Sequence, residues 1–550
     1  MKTAELLLPA GSLEKLKVAI LYGADAIYMG TPDMSLRTRS NFTLDEVVEG
    51  VKFAHAHGKR AYLTLNLFSH NRDIEKLPEY IETIRKVRPD GVIVADPGVF
   101  NFVKQAAPEL DIHISTQANV CSWLSVKFWK DLGANLIVLA REVSFDELKE
   151  IRTKCPDIKL EAFVHGAMCM TYSGRCLLSN YLAERGANQG NCANSCRWNY
   201  KVKAKLKDGT LKEIELNDQT RELFDFFLEE ELRPGDLMPL EEDDRGSYIL
   251  NAKDLCLMPR LNEYLELGLD SLKVEGRNRS AYYVAVTAHA YRMAIDDWRK
   301  NPTDWRPDSY MRELTTVPNR GYSLAFHDGQ LKHYAHNFED THTYSEWEYA
   351  GIISEVTDDA FLVDVKNRME MGDVLEFIPH AARPPLLLRI YEFQDIRHKR
   401  TLTTEGINAG QQPLLRIPFA WFHEEDVVQL KKDFPAYTIV RKERALTKDA
   451  WERIKLDHIA QAAELGKANE DEYQEKRKEL IDAIAEQNEG VTFRTARLGV
   501  EGCCGRGCNG CQHFWNDPRY ERARKLLKSK KQGVLLSGEE AKEGREDLSS

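Results

Sequence analysis

Eight of the eleven cysteines in this 550-residue sequence fall into two short windows, a pattern that points first to metal ligation. Cys169, Cys176, Cys192 and Cys196 have the spacing C-x6-C-x15-C-x3-C. Four thiolates on one segment can wrap a metal centre, and thiolate-only ligation suits zinc or an iron–sulfur cluster. Spacing does not choose between those metals. Buried free thiols are the plain alternative, since cysteine packs as a small hydrophobe. The glycines, asparagines and serine between these cysteines make no smooth apolar face, which favours ligation. The second window holds Cys503, Cys504, Cys508 and Cys511, where a zinc or second iron–sulfur site is expected. Its C-x3-C-x2-C run from Cys504 also occurs in radical-SAM enzymes, but there a barrel follows it and here none does. Gly505, Gly507 and Gly510 satisfy G-x-G-x-x-G only by accident, because no strand precedes them.

Such a centre needs a scaffold, and the first 280 residues supply a repeating one. Eight aliphatic or β-branched runs, at 6–8, 26–29, 62–65, 92–94, 112–115, 136–139, 160–164 and 271–274, alternate with amphipathic stretches such as 13–22, 44–57 and 74–87. Eight is the number that closes a parallel barrel, so the expected fold is α/β: a (β/α)8 TIM-like barrel, with an open doubly wound sheet as the alternative. Chemistry in such barrels gathers where strands end, and there stand Asn66, Asp96, Gln117, Arg141, Glu275 and Arg277. The interval 166–270 is too long for one helix and must be an insertion; it carries the first cysteine cluster.

We therefore expect a barrel domain over 1–300 with its cysteine-rich insertion, a connector at 301–344 and a small antiparallel β-barrel at 345–445. Strands are predicted in the latter at 350–355, 360–365, 374–378 and 385–391. A helical linker at 446–490, a cysteine-rich basic module at 491–535 and a polar, disordered tail at 536–550 complete the expectation. The basic module places Phe514 and Trp515 ahead of Arg519, Arg522, Arg524, Lys525, Lys528, Lys530 and Lys531. That composition suits stacking on bases and contact with phosphates, although a solvated helical face has the same pattern. Overall, 76 basic residues against 87 acidic ones give −11, which excludes a histone-like coat. No apolar run reaches the ~18 residues of a membrane span, and Glu5 interrupts the short apolar start, so no secretory signal is expected and the protein reads as cytoplasmic.

The run Glu161-x-Phe163-x-x-Gly166-Ala167-Met168-Cys169, continued by Gly174-x-Cys176-x-Leu178-Ser179, resembles the signature of the U32 family of collagenase-like peptidases. Leu8-Pro9-Ala10-Gly11, the run from Gly23 through Gly30, Thr116-Gln117 and Lys273-Val274-Glu275-Gly276-Arg277 extend the resemblance over roughly residues 4–300. Several members of that family are oxygen-independent hydroxylases carrying a 4Fe-4S cluster. They act on transfer RNA, ribosomal RNA or a quinone precursor. The resemblance implies Cys169, Cys176, Cys192 and Cys196 as cluster ligands, with Cys256 in reserve for the fourth place. The β-rich segment after residue 345 resembles the tRNA 5-hydroxyuridine-forming branch, in which prephenate is implicated in wobble-uridine hydroxylation.

A small dianionic metabolite needs fixed cations, and arginine suits bidentate contacts with carboxylates. Arg141, Arg175 and Arg277 are the candidates, with Asn66, Asp96 and Gln117 as further substrate contacts. His165, Glu275 and Arg277 are the candidate catalytic residues. Their plain readings are a loop-positioning histidine and a structural Glu275–Arg277 ion pair. The expected activity is an iron–sulfur-dependent tRNA hydroxylase using an electron donor or acceptor. The alternatives are a U32-type peptidase and a noncatalytic RNA-binding metalloprotein. The peptidase reading finds no H-E-x-x-H helix and no G-x-S-x-G elbow, and His423-Glu424 lacks a second histidine. Cys169 with His165 would have to serve as a cysteine-protease pair.

Overall fold

The computed structural model describes residues 4–30, 42–66, 69–168, 252–329, 345–380, 382–404, 406–422 and 427–444, together with five short strands between residues 203 and 248. Arg175, both cysteine clusters and the basic module lie outside the described residues. Seven parallel strands come first: β1 (Glu5–Ala10), β2 (Ala26–Gly30), β3 (Arg60–Leu65), β4 (Gly91–Val94), β5 (Asp111–Ile114), β6 (Leu136–Val138) and β7 (Lys159–Gly166). The insertion then carries β8 (Lys203–Lys205), β9 (Leu211–Glu213), β10 (Phe226–Glu229), β11 (Leu237–Asp243) and β12 (Gly246–Tyr248). The chain returns through β13 (Asp254–Cys256) to β14 (Ser271–Val274). β14 pairs in parallel with both β1 and β7, so eight strands close into a (β/α)8 barrel.

All eight predicted runs are barrel strands. They read as nearly continuous apolar stretches because both faces of a parallel barrel are covered. Leu6, Leu8, Ile27, Met29 and Leu63 belong to the main core, whereas Leu7, Ala26, Tyr28, Tyr62 and Ile93 form a separate cluster. Alternation along the strands turns the first set toward the helices and the second toward the barrel axis. Side chains fix where the helices begin. Thr43 with Glu46 and Ser144 with Glu147 form reciprocal capping boxes, and Ser280 caps the long helix Ala281–Lys300. Each such cap is worth about 1 kcal/mol.

A second, antiparallel unit follows a short strand β15 (Tyr322–Ser323) that pairs with β13. It comprises β16 (Trp347–Val356), β17 (Ala360–Val365), β18 (Val374–Phe377), β19 (Leu386–Arg389), β20 (Phe393–Asp395), β21 (Arg400–Leu402), β22 (Leu414–Pro418) and β23 (Ile439–Glu443). The order β19-β18-β23-β16-β17-β22-β20-β21 makes an antiparallel half-barrel around Phe361, Phe377, Phe393 and Phe434. β16 to β19 match the four predicted strands. β20 to β23 escaped the sequence reading because three are short or polar and β23 acquires its place only by inserting between β16 and β18.

Two buried polar links join this sheet to the barrel's outer helices. The Tyr22 hydroxyl donates to the Ile378 carbonyl at 2.8 Å and accepts from the Ile439 amide at 2.9 Å. Arg441 grips both oxygens of Glu313 at 2.9 and 3.0 Å, bonds Glu376 at 2.7 Å and lies over the Trp347 ring. Tyr22→Phe leaves two buried backbone groups without this partner and should lower stability by about 1–3 kcal/mol. Arg441→Ala leaves Glu376 buried without its cation and should cost about 3–5 kcal/mol. Urea unfolding followed by tryptophan fluorescence measures both, and equal midpoints for all three proteins would refute the account.

Candidate functional site at the barrel mouth

Beyond the C-terminal end of β14, Glu275, Gly276 and Arg277 turn across the barrel mouth. Gly276 has φ +150, and a Cβ there would come within 2.5 Å of the Tyr283 ring. Gly166, at the end of β7, has φ +121, and its Cβ would meet that of Glu275 at 2.7 Å. Only glycine at both places lets β7 and β14 end against each other. Tyr283 completes the turn by donating to the Glu275 carbonyl at 2.7 Å.

The Glu275 carboxylate pairs with Arg141, which follows β6, and the Arg141 guanidinium lies 3.9 Å above the Phe163 ring. The plain reading of a Glu275–Arg277 pair is thus replaced by a Glu275–Arg141 pair between different strand ends. Arg277 instead donates to the Thr64 hydroxyl at 3.0 Å and faces the Tyr28 ring. Deeper in the barrel, the Lys273 ammonium bonds Glu161 at 2.7 Å and stands 4.6 Å from the centre of the Tyr28 ring. Ser271 holds the other Glu161 oxygen at 2.8 Å. Arg141 and Arg277 thus bring two guanidinium groups to the mouth, one of them paired with Glu275, while Lys273 is paired with Glu161 below them.

Across the mouth, Asn66 donates to the Ser115 hydroxyl at 3.3 Å. The carbonyl oxygens of Asn66 and Gln117 are buried without a hydrogen-bond partner among the described residues. Two such acceptors carry a desolvation cost that a ligand's N–H or O–H would relieve. Asp96 is engaged locally: one carboxylate oxygen accepts from the Gly98 and Val99 amides at 2.7 and 3.0 Å and starts the helix Pro97–Ala106.

His165 is not in this group. A register shift in the β7–β14 pairing places it opposite Val274, and its ring lies among Tyr283, Tyr291 and Tyr322, outside the barrel lumen. Burial, assisted by the nearby Arg279 charge, lowers its pKa from 6.5 to about 3. Its Nδ1 lies 3.5 Å from the Tyr291 hydroxyl, and its buried Nε2 has no hydrogen-bond partner among the described residues. Cys256 sits beside it in β13, near Tyr291 and Met311, and burial raises its thiol to about 12. Lys273 and Glu161 are functional candidates that sequence reading missed, although both stand in quoted motifs. Their signal was present: a charge inside an otherwise apolar strand run must either pair or face a cavity.

The opposite end of the barrel holds a cavity of about 490 Å³ lined by Glu5, Asp25, Lys59, Arg60 and Arg292 among others. Arg60 pairs with Glu5, and Lys59 and Arg292 pair with Asp25. Ion pairing at this end of such a barrel serves stability. Among the described residues, no group of three or more His, Cys, Asp or Glu side chains is arranged to hold a metal. In sequence, Cys169 follows directly on Met168, two residues beyond the end of β7.

Residues 11–337 match peptidase family U32. The chain belongs to this family. Its relatives include "tRNA hydroxylation protein P" of Escherichia coli (strain K12), 38% identical over 402 residues, covering 68% of this chain and 86% of the relative. The protein of the same name from Helicobacter pylori (strain J99) is 36% identical over 439 residues, covering 76% of this chain and 96% of the relative. "23S rRNA 5-hydroxycytidine C2501 synthase" of Escherichia coli (strain K12) is 29% identical over 381 residues, covering 68% of this chain and 52% of the relative. In the U32 chain Arg141 follows β6 and Glu275 and Arg277 follow β14 at the mouth, while Glu161 and Lys273 lie within β7 and β14.

The buried histidines generate a pH prediction. His113, inside the barrel against Tyr62, is also lowered to about 3, by burial and then by the Lys273 charge. Below pH 6.5 the unfolded chain protonates both rings while the folded chain does not. Stability should therefore fall as pH drops from 6.5 toward 3, by up to about 1.4 kcal/mol per pH unit for each ring. Nitrogen NMR of labelled histidine should show neutral imidazoles at both sites at pH 5; charged rings there would contradict the burial argument.

Proposed function

We propose that this U32 chain is an iron–sulfur-dependent, oxygen-independent RNA hydroxylase that forms 5-hydroxyuridine at the tRNA wobble position. The observation that carries the reading is the likeness, over 86% of its length, to a relative named for tRNA hydroxylation. The two arginines at the mouth and the resemblance to a second, rRNA-hydroxycytidine relative add support. Cys169, Cys176, Cys192 and Cys196 are the proposed cluster ligands, and a cluster held there would supply redox or Lewis-acid chemistry. The second window, Cys503 to Cys511, is proposed as a zinc or additional iron–sulfur site.

The chain's own residues have separable tasks in this reading. Arg277 and Arg141 hold the carboxylates of a small dianion, for which prephenate is the proposed co-substrate, while Lys273 adds a deeper positive charge. Glu275 keeps the Arg141 guanidinium oriented, and Phe163 supports it from below. The unpartnered amide oxygens of Asn66 and Gln117 accept from a donor such as the uracil N3–H. Replacing C–H by C–OH at uracil C5 with water as the oxygen source releases two protons and two electrons, so a two-electron acceptor is also required. A peptidase mechanism has less support, because the sequence holds no H-E-x-x-H helix and no G-x-S-x-G elbow. The proposed workplace is the cytoplasm; among the described residues no helix is long and apolar enough to cross a membrane.

Nucleoside mass spectrometry of tRNA from a gene-deletion strain is expected to show the loss of one hydroxylated nucleoside, restored by the intact gene. Complementation with Cys169→Ser or Cys176→Ser should fail, and the air-protected variants should lose bound iron and visible absorbance. Arg277→Ala should retain iron but lower kcat/KM by about 10- to 100-fold, the loss of one charge-assisted contact. An unchanged nucleoside profile in the deletion strain would reject the reading.

A further inference from the structure

We propose that an exposed patch on the half-barrel, centred on Arg389, Tyr391 and Lys399, docks an unpaired stretch of the RNA substrate; this rests on the RNA reading above and names the surface that serves it. The patch arises from the sheet's topology. β19 is one edge of the sheet and β20 lies beside the other edge strand, β21, yet only residues 390–392 separate β19 from β20. The chain therefore crosses the seam between the two edges at Tyr391. The hairpin from β20 to β21 then turns through Ile396, Arg397, His398 and Lys399, all exposed.

Three properties of this seam favour unpaired nucleic acid. The first is exposed apolar surface: Tyr391 is 68% and Leu387 62% accessible, and Val374, opposite Arg389 in the register, and Ile396 are also exposed. A tyrosine so placed offers a face on which a base can stack. The second is local charge. Between residues 386 and 402 stand Arg389, Arg397, Lys399 and Arg400 against Glu392 and Asp395; Arg397 reaches the Asp364 carboxylate at 3.7 Å and Arg400 meets Asp395, which leaves Arg389 and Lys399 as the cations that meet no carboxylate among the described residues. Asp395 is buried and already engaged by His398 at 2.7 Å and Arg400 at 3.1 Å. The third is spare bonding capacity. Arg389 donates to the Gly372 carbonyl at 3.2 Å and meets no carboxylate among the described residues. Lys399, held at φ +51 in the turn, and the Tyr391 hydroxyl make no hydrogen bond there.

The register also orients the patch. Tyr349 pairs with Arg441, Leu375 with Lys442 and Val374 with Arg389, so these residues lie in adjoining rows across the sheet. Tyr349 stacks on Tyr282, in the first turn of the helix that leaves the mouth after β14. Lys366 reaches Glu14 at 3.6 Å, in the first turn of the helix that leaves the mouth after β1. The end of the half-barrel bearing Arg389 is thus the end nearer the barrel mouth.

Fluorescence anisotropy with unmodified tRNA as the probe tests the surface. Tyr391→Ala should weaken binding about tenfold or more, and Tyr391→Phe, which keeps the ring, should bind within about twofold of the parent. Arg389→Ala with Lys399→Ala should make the slope of log affinity against log salt shallower by about 1.4, from two single-strand phosphate contacts. All three side chains are exposed, so urea midpoints should stay at the parent value. Parent-like affinity and salt slope in Tyr391→Ala and in the double variant, with the parent binding tRNA, would overturn the docking surface and leave the hydroxylase reading standing. A parent that binds no tRNA, in a strain whose deletion changes no nucleoside, would overturn both.

Discussion

Strand β14 lies between β1 and β7, and this double pairing closes the barrel and sets every distance at its mouth. It places Ser271 and Lys273 opposite Glu161 and Phe163 on one side and opposite Glu5 and Leu7 on the other. A buried ammonium and a buried carboxylate are tolerated there because each is the other's partner and Ser271 takes the remaining oxygen. The same closure brings Gly166 against Glu275, which directs the Glu275 carboxylate to Arg141. The placement of Arg141, Glu275 and Arg277 at the mouth is thus a consequence of barrel closure, and any account of the chemistry begins from that pairing.

The half-barrel depends on a different constraint. Its last strand, β23, enters the middle of the sheet and carries on one edge of its backbone the link to Tyr22 and on Arg441 the link to Glu313. Buried, directional contacts of this kind specify one docked arrangement, whereas apolar packing alone would permit sliding. A sheet held in that way keeps a constant orientation toward the barrel mouth. Such constancy suits a unit that presents a long polymer to a small reactive centre.

Much of the barrel was legible because its strands are buried on both faces and so read as uninterrupted aliphatic runs of four or so residues. The helices between them showed in the three- and four-residue recurrence of apolar positions, and the structure adds the caps Thr43 and Ser144 that start two of them. The candidate site was legible in residue type but not in pairing. Arg141 and Glu275 are 134 positions apart, and no local pattern announces their contact. His165 shows the limit most clearly, since a one-residue register shift in β7 moved it from the rim to a pocket of tyrosines. Strands β20 and β21 were missed because each is three residues long, too short for alternation to register.

The amino-acid sequence by itself determined the eight strand–helix units, the family, the cysteine spacings and the set of charged residues near strand ends, because local periodicity and short-range motifs encode these directly. Tertiary structure alone decided which charges meet, which histidine loses its proton, and which end of the second sheet faces the mouth. The physical reason is that desolvation and ion pairing depend on neighbours brought together by chain closure, and those neighbours are distant in sequence.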